Sequence, residues 1–215
     1  MAEITASLVK QLRERTGAGM MECKSALVES GGDLAEGEIV LRKRGIASAG
    51  KKASRATKQG LVGSYIHQGG QIGVLVEINC ESDFVARTDD FKELLHDVAM
   101  HIAAADPRFL RKEDVSEDVI AQERDIQKAR VIAEGKPEKV ADKIVEGRLS
   151  KFYEEVCLLE QPFVKEPTLT VGQLVKTKIA KLGENMSVAR FVRFKVGDSQ
   201  AAETPTETPA ETPAQ

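Results

Sequence analysis

Three histidines (His67, His96, His101) and three cysteines (Cys23, Cys80, Cys157) are the side chains best able to carry out bond chemistry, and their spacing offers none. His96 and His101 stand five apart, whereas a shared metal face on a helix needs i and i+4. No Cys-x-x-Cys and no Cys/His set with zinc spacing occurs. The sequence holds no phosphate-binding loop, no nucleophile elbow and no His-Glu-x-x-His. The glycines near 17, 31 and 69 form short runs without phosphate-loop context. The sequence therefore predicts no catalytic residue, no metal and no cofactor. Three widely spaced thiols read as reduced cysteines in the cytoplasm, with a bridge between two chains left open.

Binding candidates are clearer. Asn79-Cys-Glu-Ser-Asp-Phe-Val-Ala-Arg87 sets Phe84 among acids, between a strand and a helix. Residue type alone favours a ring tucked beneath its own loop, because most apolar side chains are core. The alternative is an exposed wedge that enters a partner. Met20 and Met21 follow a tight turn; both can pack inside, or Met20 can stay outside as an adaptable contact. Residues 42–58 carry seven positive charges and no acid. They can touch phosphates. They lack interleaved aromatics for base stacking, so a solvated linker is the preferred reading.

These candidates need elements to hold them. Residues 1–41 read as three short helices. Thr5 or Ser7 caps the first, with Leu8, Val9 and Leu12 on one side. The second runs from Met20 to Val28, with Met21, Ala26 and Leu27 inward. Asp33 caps the third, which carries Leu34, Ile39 and Leu41. Residues 42–58 form a basic helical or flexible linker. Residues 59–113 open the core: two strands about a Gln68-Gly69-Gly70 turn, then a helix over 88–105 with Asp90 and Glu93 as a capping pair. Ile72, Val74, Val76 and Ile78 alternate, so one strand face is buried. Residues 114–153 predict an antiparallel helical hairpin with a thin seam (Val119, Ile126, Ala133; Val140, Ile144, Val145, Leu149). About 18 residues per helix at about 1.5 Å each give an arm of about 27 Å. Residues 154–197 return to the core with a Thr170–Gln173 capping box and a last strand whose face holds Val188, Arg190, Val192, Phe194 and Val196. Residues 198–215 are a Glu/Thr/Pro tail expected to be disordered. The fold class is α+β: an N-terminal three-helix (UBA-like) unit, a small antiparallel-sheet core with packed helices, and a protruding antiparallel helical hairpin.

The 215 residues carry a net charge of −3, and the tail holds four acids and no base, which leaves the body nearly neutral. Histone-like and poly-acidic classes are excluded. No apolar run approaches the ~20 residues of a membrane span. The first residues lack the pattern of a signal peptide.

Several of these segments together resemble bacterial elongation factor Ts. Met1-Ala-Glu-Ile-Thr-Ala-Ser-Leu-Val-Lys10 and Leu12-Arg-Glu-Arg-Thr-Gly-Ala-Gly-Met-Met21 resemble its N-terminal signature, and Asn79–Ala86 resembles the second. Gly135-Lys-Pro137, Val145-Glu-Gly-Arg148, Gln161-Pro-Phe-Val164 and Glu166-Pro167 resemble its hairpin and return. The likeness runs from about Ala2 to Val196, with Ser82 where the family usually has threonine. A serine keeps the hydroxyl, so little change is expected there.

The resemblance implies a translation factor that binds elongation factor Tu carrying GDP, disturbs its magnesium site and promotes nucleotide release. It implies that Asp83 and Phe84 enter near that magnesium, with Ser82 and Val85 completing the tip. Arg13, Met20 and Met21 are implied to touch the GTPase domain, and His67 and Val164 its other domains. A chain with a single core resembles members that pair as homodimers. Neither a membrane nor direct nucleic acid is expected as a partner. The alternatives are an RNA-binding accessory protein using residues 42–58 and, more weakly, a ubiquitin-like adaptor using the three helices.

Overall fold

A computed structural model describes residues 4–198, apart from the side chains of residues 138 and 139. All of the expected tail except Asp198 lies outside the described residues. Helices α1 (Ala6–Thr16), α2 (Met20–Glu29) and α3 (Leu34–Lys52) open the chain. The Thr5 hydroxyl accepts from the Leu8 N–H, and the Asp33 carboxylate accepts from the Glu36 N–H, satisfying donors that a helix start leaves free. Val9, Leu12, Cys23, Ala26, Leu27 and Val40 form the small core of this unit.

Three expectations change here. Met21 faces solvent and Cys23 takes the inward place, because Cys23 with Ala26 and Leu27 follows the helical period. Ile39 is also exposed. Helix α3 runs through the expected boundary at 41/42, so the basic segment is helical as far as Lys52. It packs on a later helix, α8 (Val171–Leu182). Gly45 permits this crossing: a side chain there would meet the Ala180 methyl at 2.9 Å.

Strands β1 (Gln59–Ile66) and β2 (Ile72–Cys80) pair antiparallel around the predicted turn. The short helix α4 (Asp83–Ala86) and the long helix α5 (Asp89–Ala105) follow. After the hairpin of α6 (Glu117–Ala133) and α7 (Glu138–Val156) come β3 (Pro162–Phe163), β4 (Glu166–Thr170), α8 and β5 (Met186–Lys195). The main sheet has the order β1-β2-β5. Val74, Val76 and Ile78 pack on Phe91, Leu94, Val98 and Ile102 of α5, and Val171, Val175 and Ile179 of α8 join the same core. The architecture is mixed helix and antiparallel sheet, as the patterning predicts.

Three further expectations are corrected. Thr88 caps α5, accepting from the Phe91 N–H; Asp90 and Glu93 instead bind Lys178 of α8. The hairpin seam consists of Val131, Ala141, Val145 and Leu149 with Ile144 beside it and Gln127 buried; Ile126 and Val140 face out. Gln127 is accommodated because it donates to Glu123 and accepts from Arg148. In β5, Val192 and Phe194 lie outside the core, as does Val196 just beyond the strand. Glu77 pairs with Arg190 and Ile78 with Val188, so Ala189 is an extra residue. This bulge inverts the alternation. Met186 and Val188 point inward before it, whereas after it Phe191 and Arg193 occupy the core side. Arg193 donates to the Ala103 carbonyl and pairs with Asp106, closing the C-terminal end of α5.

Candidate functional site

The loop after β2 is short, and its backbone is tied down from three directions. Ser82 caps α4, its hydroxyl accepting from the Val85 N–H at 3.4 Å. The same hydroxyl donates to Glu184 Oε1 at 2.6 Å, and the Ser82 N–H donates to Glu184 Oε2 at 2.9 Å. Cys80 donates to the Ser82 carbonyl, and Thr88 to that of Val85. Glu81 accepts from the Asn185 N–H at 2.6 Å, a bond that holds its carboxyl below the usual range. Asn185 in turn donates to the carbonyls of Ala53 and Arg55. The turn between α8 and β5 thus grips the loop between β2 and α4.

On this support Phe84 is 78% exposed. Val85 and Ala86, next in the chain, are buried in the core and anchor the loop. Asp83 lies beside the ring and binds Arg87 at 2.7 Å. The reading of Phe84 as a ring beneath its own loop is overturned: the ring stands in solvent. The tip is not uniform, since Ser82 and Val85 serve to hold what Asp83 and Phe84 present.

The remaining candidates are exposed as well. Arg13 lies in the last turn of α1; Met20 (49% exposed) and Met21 (76%) open α2. The turn between them bends through Gly17, with φ 69°, where a Cβ would come 2.8 Å from Lys181 Cε. Lys181 reaches past this turn to Asp90 of α5 at 2.7 Å. That ammonium, and after it Lys178, holds the Asp90 carboxyl below its ordinary value. His67 follows β1, and its Nδ1 lies 3.2 Å from the Tyr65 hydroxyl; the Tyr65 ring meets His96 of α5 edge-on. Val164, 43% exposed, sits on the turn between β3 and β4, and its N–H donates to His101 of α5. Val164 is thus tied to α5 directly and His67 through Tyr65, the Phe84 loop joins α5 at the Thr88 cap, and Arg13, Met20 and Met21 stand on the separate small core of the first three helices. Sequence reasoning missed this role of α5, together with Glu184, Asn185 and Lys181. A Gly-Glu-Asn turn before the last strand carries no local signal that it will bind a loop about 100 positions away.

The thiols of Cys23, Cys80 and Cys157 are free and fully buried. Burial pushes the Cys80 thiol up, and that of Cys157 to about 11. A bridge between two chains through any of them requires that packing to open. No group of three potential metal ligands occurs among the described residues, and no helix there is long and apolar enough to cross a membrane. Of the basic segment, Arg42 pairs with Glu166, Arg44 with Glu29 and Arg55 with Glu81, so part of its charge is matched within the chain. What the site can do is bind: an apolar ring on a braced loop can enter a cleft of another molecule.

Comparison with known proteins agrees with this geometry. The family model described as Elongation factor TS matches residues 41–200. The chain is 83% identical to the elongation factor Ts of Solibacter usitatus over 204 residues, which covers 95% of this chain and 96% of that protein. It is 63% identical to that of Koribacter versatilis over 195 residues (91% and 89%). It is 58% identical to that of Carboxydothermus hydrogenoformans over 198 residues (92% and 91%). The chain belongs to the elongation factor Ts family and is thereby a translation elongation factor.

Proposed function

We propose that this chain is a guanine-nucleotide exchange factor for elongation factor Tu, acting without covalent chemistry in the cytoplasm. The observation that carries the reading is the Phe84 ring, exposed beside Asp83 on a loop held by Glu184. A nucleotide bound at nanomolar affinity is held by about 12 kcal/mol and leaves slowly. Its Mg²⁺ tolerates little departure from octahedral geometry at about 2.0–2.1 Å, so a shift of about 1 Å in the elements carrying its ligands loosens the nucleotide. Burying the Phe84 ring in the shifted state favours that state by about 1.5–3 kcal/mol. Asp83 brings charge beside the metal's shell. Arg13, Met20, Met21, His67 and Val164 supply further contacts. The coupling is reciprocal, so a nucleotide that the factor weakens must also weaken the factor, and incoming GTP releases it.

The test is stopped-flow release of a fluorescent GDP from elongation factor Tu. The wild-type chain accelerates it and Phe84→Ala does so about tenfold to a hundredfold less, while both melt alike. Equal acceleration by the two rejects Phe84 as the wedge.

The same reading includes a homodimer. Val62, Ile66, Leu75, Val192 and Phe194 are exposed on the outer face of the main sheet, an apolar surface that a second copy can cover. Light scattering is expected to give twice the 23.4 kDa of one chain. A monomer with full activity removes the dimer from the proposal.

A further inference from the structure

The turn that carries Val164 belongs to a hairpin too small to hold itself. Strand β3 has two residues, and β3–β4 forms a separate two-stranded sheet. Helix α5 holds it instead. His101 is fully buried, and its Nδ1 accepts from the Val164 N–H at 3.3 Å. That bond places the ring proton on Nε2, which donates to Gln161 Oε1 at 2.9 Å. The Gln161 amide then donates to the carbonyls of Glu155, at 2.7 Å, and Ala105, at 3.4 Å. The His101 ring also lies 6.0 Å from the Phe163 ring, centroid to centroid. One turn earlier on the same helix face, the buried Asp97 binds Lys165 at 2.6 Å. The segment 161–165 is thus attached to α5 through Gln161, Phe163, Val164 and Lys165.

Packing alone does not account for a histidine here. Its neighbours Ile102 and Ala103 show that this part of α5 accepts apolar side chains. An apolar residue at 101 would leave the buried Gln161 carbonyl and the half-buried Val164 N–H unpaired. Imidazole offers an acceptor and a donor on opposite sides of one ring, which the two partners require.

We infer that His101, with Asp97, is a positioning residue for partner binding: it latches the Val164 turn to α5 and so holds that contact in fixed relation to the Phe84 loop at the start of the same helix. The inference rests on the exchange reading above and deepens it. Along α5, the latch and the Thr88 cap are separated by about 13 residues, roughly 20 Å. A partner that meets Phe84 and Val164 together encounters two points already set at their working distance, so neither needs ordering upon binding.

The test uses the full chain and elongation factor Tu with GDP, at a temperature well below the melt. His101→Phe keeps a ring and loses both nitrogens. His101→Asn restores an acceptor near the place of Nδ1. Asp97→Asn weakens the second tether by removing its charge without altering the side-chain size. Three quantities are read: hydrogen exchange at the Val164 amide, affinity for the partner, and GDP release at saturating factor. In His101→Phe the Val164 amide is expected to exchange faster and affinity to fall roughly threefold to tenfold, the effect of about one hydrogen bond. Release at saturation stays near wild type, because Phe84 is untouched. His101→Asn is expected to recover most of the affinity, and Asp97→Asn to lose a smaller part of it.

If the wild type speeds GDP release and His101→Phe binds the partner equally well with its Val164 amide freed, the positioning role is rejected and the exchange reading stands. An equal loss in His101→Phe and His101→Asn also rejects it. If His101→Phe does not fold, Asp97→Asn decides, and unchanged affinity overturns the inference. A wild type that leaves GDP release unchanged rejects the exchange reading, and the positioning role with it.

Discussion

The loop at Ser82–Arg87 and the hairpin of α6 and α7 both project apolar groups into solvent, and they are built on opposite plans. The loop is four helical residues fastened by Glu184, Cys80, Thr88 and the buried Val85. The hairpin is two helices of 17 and 19 residues joined by a seam of four small or medium side chains and the buried Gln127. Exposure in the loop is supported by cross-links to distant parts of the core. Among the described residues, exposure in the hairpin is supported along its own length and by the cluster at its base, where Val115, Val156 and Cys157 meet Phe152 and Tyr153. A braced protrusion can deliver force to a partner; a thinly seamed one can bend toward it.

This comparison is most sharply broken at the seam. Leu149→Ala is expected to destabilise the hairpin by about 2–5 kcal/mol. Hydrogen exchange should rise within α6 and α7 and stay unchanged in β2 and α5. Faster exchange throughout the chain would show that arm and core open as one unit. Phe84→Ala is expected to lower the acceleration of GDP release by about tenfold to a hundredfold, from about 1.5–3 kcal/mol of lost burial, with no loss in melting temperature. Glu184→Gln keeps an acceptor for the Ser82 hydroxyl and loses the charge, and a fewfold decrease in GDP release is expected with Phe84 still present. An undiminished rate would mean that bracing the loop contributes nothing to exchange.

Acid gives the smallest effect. Burial lowers the His101 pKa below the ordinary 6.5, so the unfolded chain takes up this proton first. The stability contributed by neutral His101 is complete above pH 6.5 and declines as pH falls below that value, ending below the folded pKa. The bond from Lys181 to Asp90 and that from Lys178 to Glu93 depress those carboxyls. Their contribution is present above the ordinary values of 3.8 and 4.5 and is lost as pH falls through the depressed ones. Melting curves from pH 7.5 to 3 are expected to show a first decline from about pH 6.5. Its absence in His101→Phe would assign that decline to this ring.

What the sequence makes legible is local. Caps at Thr5, Asp33, Ser116 and Thr170 lie within three residues of the N–H groups that they satisfy, and the apolar period of α5 runs unbroken through most of the helix. The Phe84 loop is readable as a motif, yet its exposure is not. Whether a ring is covered depends on Glu184 and Asn185, about 100 residues further on. The seam of the hairpin was displaced because Ile126 and Val140 look more apolar than Gln127, while the contact geometry of two antiparallel helices selects the face that carries Gln127 and Val131. Asp90 and Glu93 resemble a capping pair by spacing; their lysine partners lie in α8 and leave no mark near them. Met21 shows the same limit on a small scale, since a short helix offers few turns from which to infer its inner face.

The extra residue at Ala189 has a consequence for inheritance. Upstream and downstream portions of β5 read in opposite phase only because this residue is counted and not paired, so losing its codon would straighten the strand and leave each side chain on its present face: Phe194 would stay outside and Arg193 beside α5. Ordinary point changes at neighbouring positions leave this phase untouched. The strand is therefore tolerant of altered spelling and, at this one position, of a shortened count.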